Sequence, residues 1–190
     1  MEQEPASGPP ELPCLASEQQ LRGAVRRLAA EIAADHGESK PLVILGVLKG
    51  VVIFLADLVR QLPMPLEIEF VKARSYRGTR QQAVEVLDDL DDLGLAGKDV
   101  LLLDCVLDTG RTLARLRNEV ERREPADVKT CVLLSKQCAR LAPVDPEYVG
   151  LEIPDVFVVG YGLDHDNRWR HLPYVAELKS EEHSGEDKKA

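Results

Sequence analysis

The stretch Val100-Leu-Leu-Leu-Asp104-Cys105-Val-Leu-Asp108-Thr109-Gly110-Arg111-Thr112 decides the fold class. Its apolar residues run on without strict alternation, the pattern of a strand covered on both faces. Asp108-Thr109-Gly110 then turns the chain, and Leu113, Leu116 and Val120 recur at helical spacing within Arg111 to Arg123. Strand, turn and helix in that order set the free N–H groups of a helix N-terminus at the carboxyl end of a strand. Thr109 and Thr112 can add hydroxyl donors, so the turn suits an anion the size of a monophosphate. The same letters also suit a helix that Asp108 merely caps.

Working outward, the pattern recurs. Leu42 to Leu48 reads LVILGVL, Lys49-Gly50 turns, and VVIFLADLVRQL follows with Phe54, Leu55, Leu58 and Leu62 at helical spacing. Before it, Ser17 and Gln20 have capping-box spacing, and Leu21, Val25, Leu28 and Ile32 line one helical face as far as Asp35-His36-Gly37. Pro63 and Pro65 end the second helix, Leu66 to Val71 alternates as a strand, and a polar loop from Ser75 to Gln82 precedes a further alternating stretch near Ala83 to Leu87. Val128 to Leu134 and Val156 to Val159 read as additional strands. Buried strands alternating with helices imply an α/β fold with a mostly parallel sheet. No internal repeat is visible. Residues 1–16 hold four of the 12 prolines and the tail from Lys179 reads KSEEHSGEDKKA, so one domain is expected over residues 17–178, with loosely ordered segments at 1–16 and 179–190.

At 190 residues, with 44% hydrophobic and 30% charged side chains, the chain has material for one core and is not a disordered polymer. Acidic residues outnumber basic ones 33 to 24, a formal charge of −9, which argues against nucleic acid as a partner. The most apolar stretch, Leu42 to Val59, is interrupted by Lys49 and Asp57, so no membrane-spanning helix is expected. Met1 to Pro13 has no charged and apolar leader pattern, which points to the cytoplasm. Cys14, Cys105, Cys131 and Cys138 form no C-x-x-C pair, and His36, His165, His171 and His183 have neither metal nor nucleophile–base spacing. Asp88-Asp89-Leu90-Asp91-Asp92 lacks the third-position ligand and the glycine of a calcium loop and reads as a solvated connector. Neither a P-loop nor a dinucleotide fingerprint occurs.

With other phosphate motifs excluded, LLLDCVLDTGRT resembles the phosphoribosyl pyrophosphate (PRPP) motif of type I phosphoribosyltransferases. Gly46-Val-Leu48-Lys49-Gly50, Ser75-Tyr76, Lys136, Ile153-Pro154-Asp155-Val-Phe157-Val-Val-Gly160-Tyr161-Gly-Leu-Asp164 and Arg170 follow in the order and spacing of hypoxanthine-guanine phosphoribosyltransferases, over about Leu21 to Leu178.

The resemblance implies a type I phosphoribosyltransferase fold: a mostly parallel sheet flanked by helices, with a small hood from the chain ends over the purine. It implies that hypoxanthine or guanine, a 6-oxopurine, displaces pyrophosphate from Mg²⁺-bound PRPP, giving IMP or GMP. In those terms Thr109, Gly110, Arg111 and Thr112, with Asp108 at the edge, cradle the 5′-phosphate, and Asp104 contacts the ribose. Asp108 is the general base for the purine proton. Leu48, Lys49, Gly50 and Arg170 take the pyrophosphate, the Leu48–Lys49 peptide being cis in many relatives. Lys136 meets the purine O6, Phe157 stacks on the ring, Val158 offers backbone groups to its edge, and Asp164 completes that wall. Asp164 and Asp104 are the implied Mg²⁺ ligands, and Ser75-Tyr76 opens a loop that closes over PRPP. Homodimers or homotetramers are the implied assemblies.

Two departures stand out. Val51 replaces a second glycine after Leu-Lys-Gly, and Cys105 stands where the second residue of an acidic pair is usual. A thiol is a poor substitute for a hard oxygen ligand. Two alternatives therefore accompany the main reading: a xanthine-guanine phosphoribosyltransferase, and a PRPP- or nucleotide-binding regulatory homologue with weakened turnover.

Overall fold

A computed structural model describes residues 12–75, 84–86 and 90–179. Six strands form the main sheet: β2 (Leu42–Leu48), β3 (Leu66–Ser75), β4 (Val84–Val86), β5 (Asp99–Leu107), β6 (Asp127–Lys136) and β7 (Tyr148–Ile153). Their order is β4-β3-β2-β5-β6-β7, with β4 antiparallel at one edge and the other five parallel. Three short strands, β1 (Cys14–Ala16), β8 (Val158–Val159) and β9 (Val175–Glu177), make a separate antiparallel sheet in the order β1-β9-β8.

Helices α1 (Glu18–His36) and α2 (Val52–Val59) cover one face of the main sheet, and α3 (Arg111–Glu121) covers the other. The continuous apolar runs follow from that layering. Ile44, Leu101 and Leu103 pack with Leu28, Ile32 and Phe54, whereas Val43, Leu45, Val100 and Leu102 pack with Leu113, Leu116 and Val120. Fully burying one such side chain contributes about 1.5–3 kcal/mol. Helix α1 begins with the expected reciprocal cap: Gln20 N donates to Ser17 Oγ at 3.3 Å, and Ser17 N donates to Gln20 Oε1 at 2.9 Å.

Three expectations need correction. Residues 14–16, assigned to the loose N-terminal segment, pair with β9, because Cys14 and Ala16 lie opposite Ala176 and Val175. Val156–Val159 is not a strand of the main sheet; only Val158–Val159 is extended, and it pairs with Glu177 and Ala176. The fifth parallel strand is instead Tyr148–Ile153, whose apolar signal is diluted by Gly150 and by the exposed Glu152 on a sheet edge. Of the polar loop from Ser75, only Ser75 itself is described, as the last residue of β3; Tyr76 lies outside the described residues.

Candidate active site

Sheet order fixes where a ligand can sit. After β2 the chain moves outward to β3, and after β5 it moves the opposite way to β6, so β2 and β5 flank a reversal of direction. A crevice opens outside the carboxyl ends of the strands at such a point. There lies a cleft of about 320 Å³. Leu48, Lys49 and Gly50 border it from the end of β2, Asp104 and Asp108 from β5 and its turn, and Lys136 from β6. The hood closes the other side with Phe157, Val158, Leu163, Asp164 and Arg170. A larger hollow of about 580 Å³ beside α1 and α2 holds, of these, only Arg170.

The Leu48–Lys49 peptide is cis, as the resemblance implies. Gly162 (φ +98) lies so close that a Cβ there would stand 2.3 Å from the Gly50 carbonyl oxygen. Only glycine lets the hood turn rest on the Leu48–Gly50 turn. Arg170 secures the same turn, donating from Nη1 to Gly162 O at 2.8 Å and pairing through Nη2 with Asp164 Oδ1 at 2.7 Å. The second carboxyl oxygen of Asp164 accepts Asn167 N at 2.9 Å.

Asp108 is not the cap of α3. The N-cap is Gly110 (φ 83), which has no side chain to offer, so the simple capping alternative fails. Thr109, Gly110, Arg111 and Thr112 continue from Asp108 into the first turn of α3, outside the residues that line the cleft. Lys136 Nζ lies 3.2 Å from Asp108 Oδ2 and 3.7 Å from Asp155 Oδ1. Asp108, Cys138 and Asp155 bring potential metal ligands within 4.8 Å of one another. The Lys136 ammonium already serves as the cation for both carboxylates.

The two members of Asp104-Cys105 point opposite ways. Asp104 faces the cleft and accepts Cys105 N at 2.7 Å. Burial pushes its pKa up to about 7, against the lowering effect of the Cys105 and Val106 N–H groups. Cys105 is fully buried on the α1/α2 side with Leu101 and Leu103, and its thiol donates weakly to Tyr161 O at 3.9 Å. Burial pushes that thiol's pKa up as well. Position 105 therefore has no side chain in the cleft, and the departure at Cys105 leaves the cleft wall intact.

Phe157 packs beside the hood core, and its ring meets His165 edge-on at 5.4 Å and 83°. His165 in turn stacks on Trp169 at 6.1 Å and 12°. The sequence names Asp155, Cys138 and His165 without pointing to a role for any of them, and nothing in it draws attention to Arg140. Asp155 lies within the quoted stretch Ile153 to Asp164, which could have flagged it; Cys138 and Arg140 lie in a loop whose sequence has no period.

A family model described as the phosphoribosyl transferase domain matches residues 15–166, most of the chain. The chain belongs to this family. Among phosphoribosyltransferases it is 41% identical to the hypoxanthine phosphoribosyltransferase of Haemophilus influenzae, over 88% of this chain and 96% of that one. It is 38% identical to the hypoxanthine-guanine phosphoribosyltransferase of Bacillus subtilis, over 87% and 92%. A crystal structure of the hypoxanthine-guanine phosphoribosyltransferase of Bacillus anthracis superposes with a TM-score of 0.82 at 37% identity, covering 89% of this chain and all of that one. The fold is thus the type I phosphoribosyltransferase fold, and neither alternative to a hypoxanthine-guanine phosphoribosyltransferase is favoured by these relatives.

Proposed function

We propose that the protein is a purine-salvage enzyme that converts hypoxanthine or guanine plus PRPP to IMP or GMP plus pyrophosphate. The observation that carries this reading is one cleft lined together by the Lys136–Asp108 pair, Phe157, Val158, Lys49 and Arg170. Purine N9 forms a bond to ribose C1 while the bond from C1 to the pyrophosphate oxygen breaks, and the N7 proton passes to the Asp108 carboxylate. Thr109, Gly110, Arg111 and Thr112 hold the 5′-phosphate at the start of α3, so that phosphate and base are anchored on adjoining residues of one turn.

Lys136 donates to the purine O6. An adenine amino group offers no acceptor there, and the unmet donor costs about 1–3 kcal/mol. Phe157 stacks on the ring and Val158 addresses its edge. Lys49, Gly50, the Leu48 backbone and Arg170 take the pyrophosphate, and Asp104 faces the ribose as positive charge develops there.

The oxygen donors of Asp104 and Asp164 suit Mg²⁺, which takes one or two carboxylates and completes its shell with water and substrate phosphates. Bound there, the ion supplies charge neutralisation for the leaving pyrophosphate. By the same resemblance, Ser75 and Tyr76 belong to a segment that closes over PRPP. The catalytic unit is a single domain that we extend from residue 17 back to Cys14, ending near Leu178, between polar end segments.

No helix among the described residues is long and apolar enough to cross a membrane. A homodimer or homotetramer is supported by exposed Val52 and Ile53 on α2 and by Ile68 and Phe70 on the same side of the sheet. Nucleotide formation from hypoxanthine, guanine and xanthine with saturating PRPP and Mg²⁺ tests the proposal; absence of both IMP and GMP would overturn it.

A further inference from the structure

We infer that Arg140, aided by Cys138, is a positioning residue that holds the Asp108–Thr112 turn from outside the cleft. The inference rests on the reading of that turn as phosphate cradle and base. Because the N-cap of α3 is a glycine, no side chain at that position ties the turn down. The loop after β6 does so instead. Arg140 Nη1 donates to the Asp108 carbonyl oxygen, and Nη2 donates to Ser135 Oγ at 2.7 Å. Ser135 belongs to β6, so the planar guanidinium couples a turn to a strand of the central sheet.

Cys138 reinforces the link. Its Sγ donates to Asp108 O at 3.5 Å and to Asp108 Oδ1 at 3.6 Å, and lies 3.4 Å from Arg140 Nη1. Lys136 addresses the other carboxyl oxygen, so both oxygens of Asp108 are oriented from the β6 side. Leu141 N donates to Thr109 O at 2.9 Å, and a Cβ at Gly110 would stand 2.5 Å from Val144 Cγ1, which shows how closely this loop covers the turn. Arg140 does not border the cleft and acts through Asp108.

The test compares Arg140→Gln, Arg140→Lys, Cys138→Ala, Cys138→Ser and Ser135→Ala with the wild type, reading kcat, the KM for PRPP and calorimetric GMP affinity, with folding checked by circular dichroism. A misplaced reacting group costs up to about 100-fold, so Arg140→Gln should lower kcat/KM by about tenfold or more and weaken GMP binding. Arg140→Lys should fall between, since one ammonium nitrogen cannot reproduce the fixed spread of the two guanidinium nitrogens that reach Asp108 and Ser135, and Cys138→Ser should retain more activity than Cys138→Ala. Ser135→Ala removes the far anchor with little disturbance and should shift the same quantities by about two- to threefold, the loss of one weak hydrogen bond. Folded Arg140→Gln and Ser135→Ala with wild-type kinetics and GMP affinity would overturn the inference, even with lowered melting temperatures. A wild type without turnover refutes the assigned activity, and GMP affinity then judges the brace; a wild type that also fails to bind GMP overturns both.

Discussion

Lys136 is nearly buried, yet its ammonium stands 3.2 Å from Asp108 Oδ2 and 3.7 Å from Asp155 Oδ1, both on carboxylates open to solvent. A cation in that position is held in place before any substrate arrives, and its third N–H can turn toward a purine oxygen.

Replacing Lys136 by Gln should therefore act on base choice. The kcat/KM for hypoxanthine should fall by about 5- to 150-fold, the equivalent of about 1–3 kcal/mol. The ratio of hypoxanthine to adenine turnover should narrow in the same variant. Steady-state kinetics with both bases checks this.

Asp108→Asn preserves shape and removes the proton acceptor. Its kcat should drop by about 10²–10⁴-fold, the usual worth of a positioned base, with a much smaller change in the KM for PRPP. Equal losses in both parameters would instead assign Asp108 to binding.

Asp104 and Cys105 should separate cleanly. Cys105→Ala should leave the KM for PRPP within about twofold and cost about 1 kcal/mol of stability for a small cavity. Asp104→Asn should raise that KM. The raised pKa of Asp104, about 7, also sets a sign: the folded chain keeps a proton that the unfolded chain releases near its ordinary value of 3.8. Stability of the ligand-free protein should thus decline as pH climbs from about 4 to about 7, and Asp104→Asn should flatten that decline. Urea titrations across this range are the measurement.

Glu147 has the opposite sign. Burial alone would raise its pKa, but hydrogen bonds from Thr130, and from Arg117, outweigh it and hold the carboxyl below its ordinary range. Its contribution is fully present above the ordinary value of about 4.3 and is lost as pH falls through the lower folded value. Glu147→Gln should cost about 1–2 kcal/mol at neutral pH and remove that acid sensitivity, as denaturation at two pH values would show.

Legibility in the sequence tracked the range of the interaction responsible. Ser17 and Gln20 lie three residues apart and form both bonds of the cap that their spacing implied. The runs in β2 and β5 are apolar because both faces are covered, and they were readable for that reason. Tyr148–Ile153 was missed because Gly150 and Glu152 dilute an edge strand. Val158–Val159 was misplaced because its partner is Ala176–Glu177, a pairing that no local pattern announces. Asp104, Asp108, Lys136, Phe157 and Asp164, which line one cleft, were named through motifs. Arg140 was not, since its role comes from a loop folding back onto Asp108, 32 residues earlier.

The small sheet joins Cys14 to Ala176, the early and late parts of the described chain, and Phe157 O accepts Leu178 N at 2.9 Å. Such long-separation pairing is slow to form compared with the helices and the β2–β3 unit. During synthesis the Asp108–Thr112 turn can assemble while Val158–Val159 still lacks its backing strand. A chain stopped before Val175 would keep Lys136 and Phe157 but lack the strand that Val158 and Val159 pair with, so the wall proposed to face the base would be the last part of the cleft to be fixed.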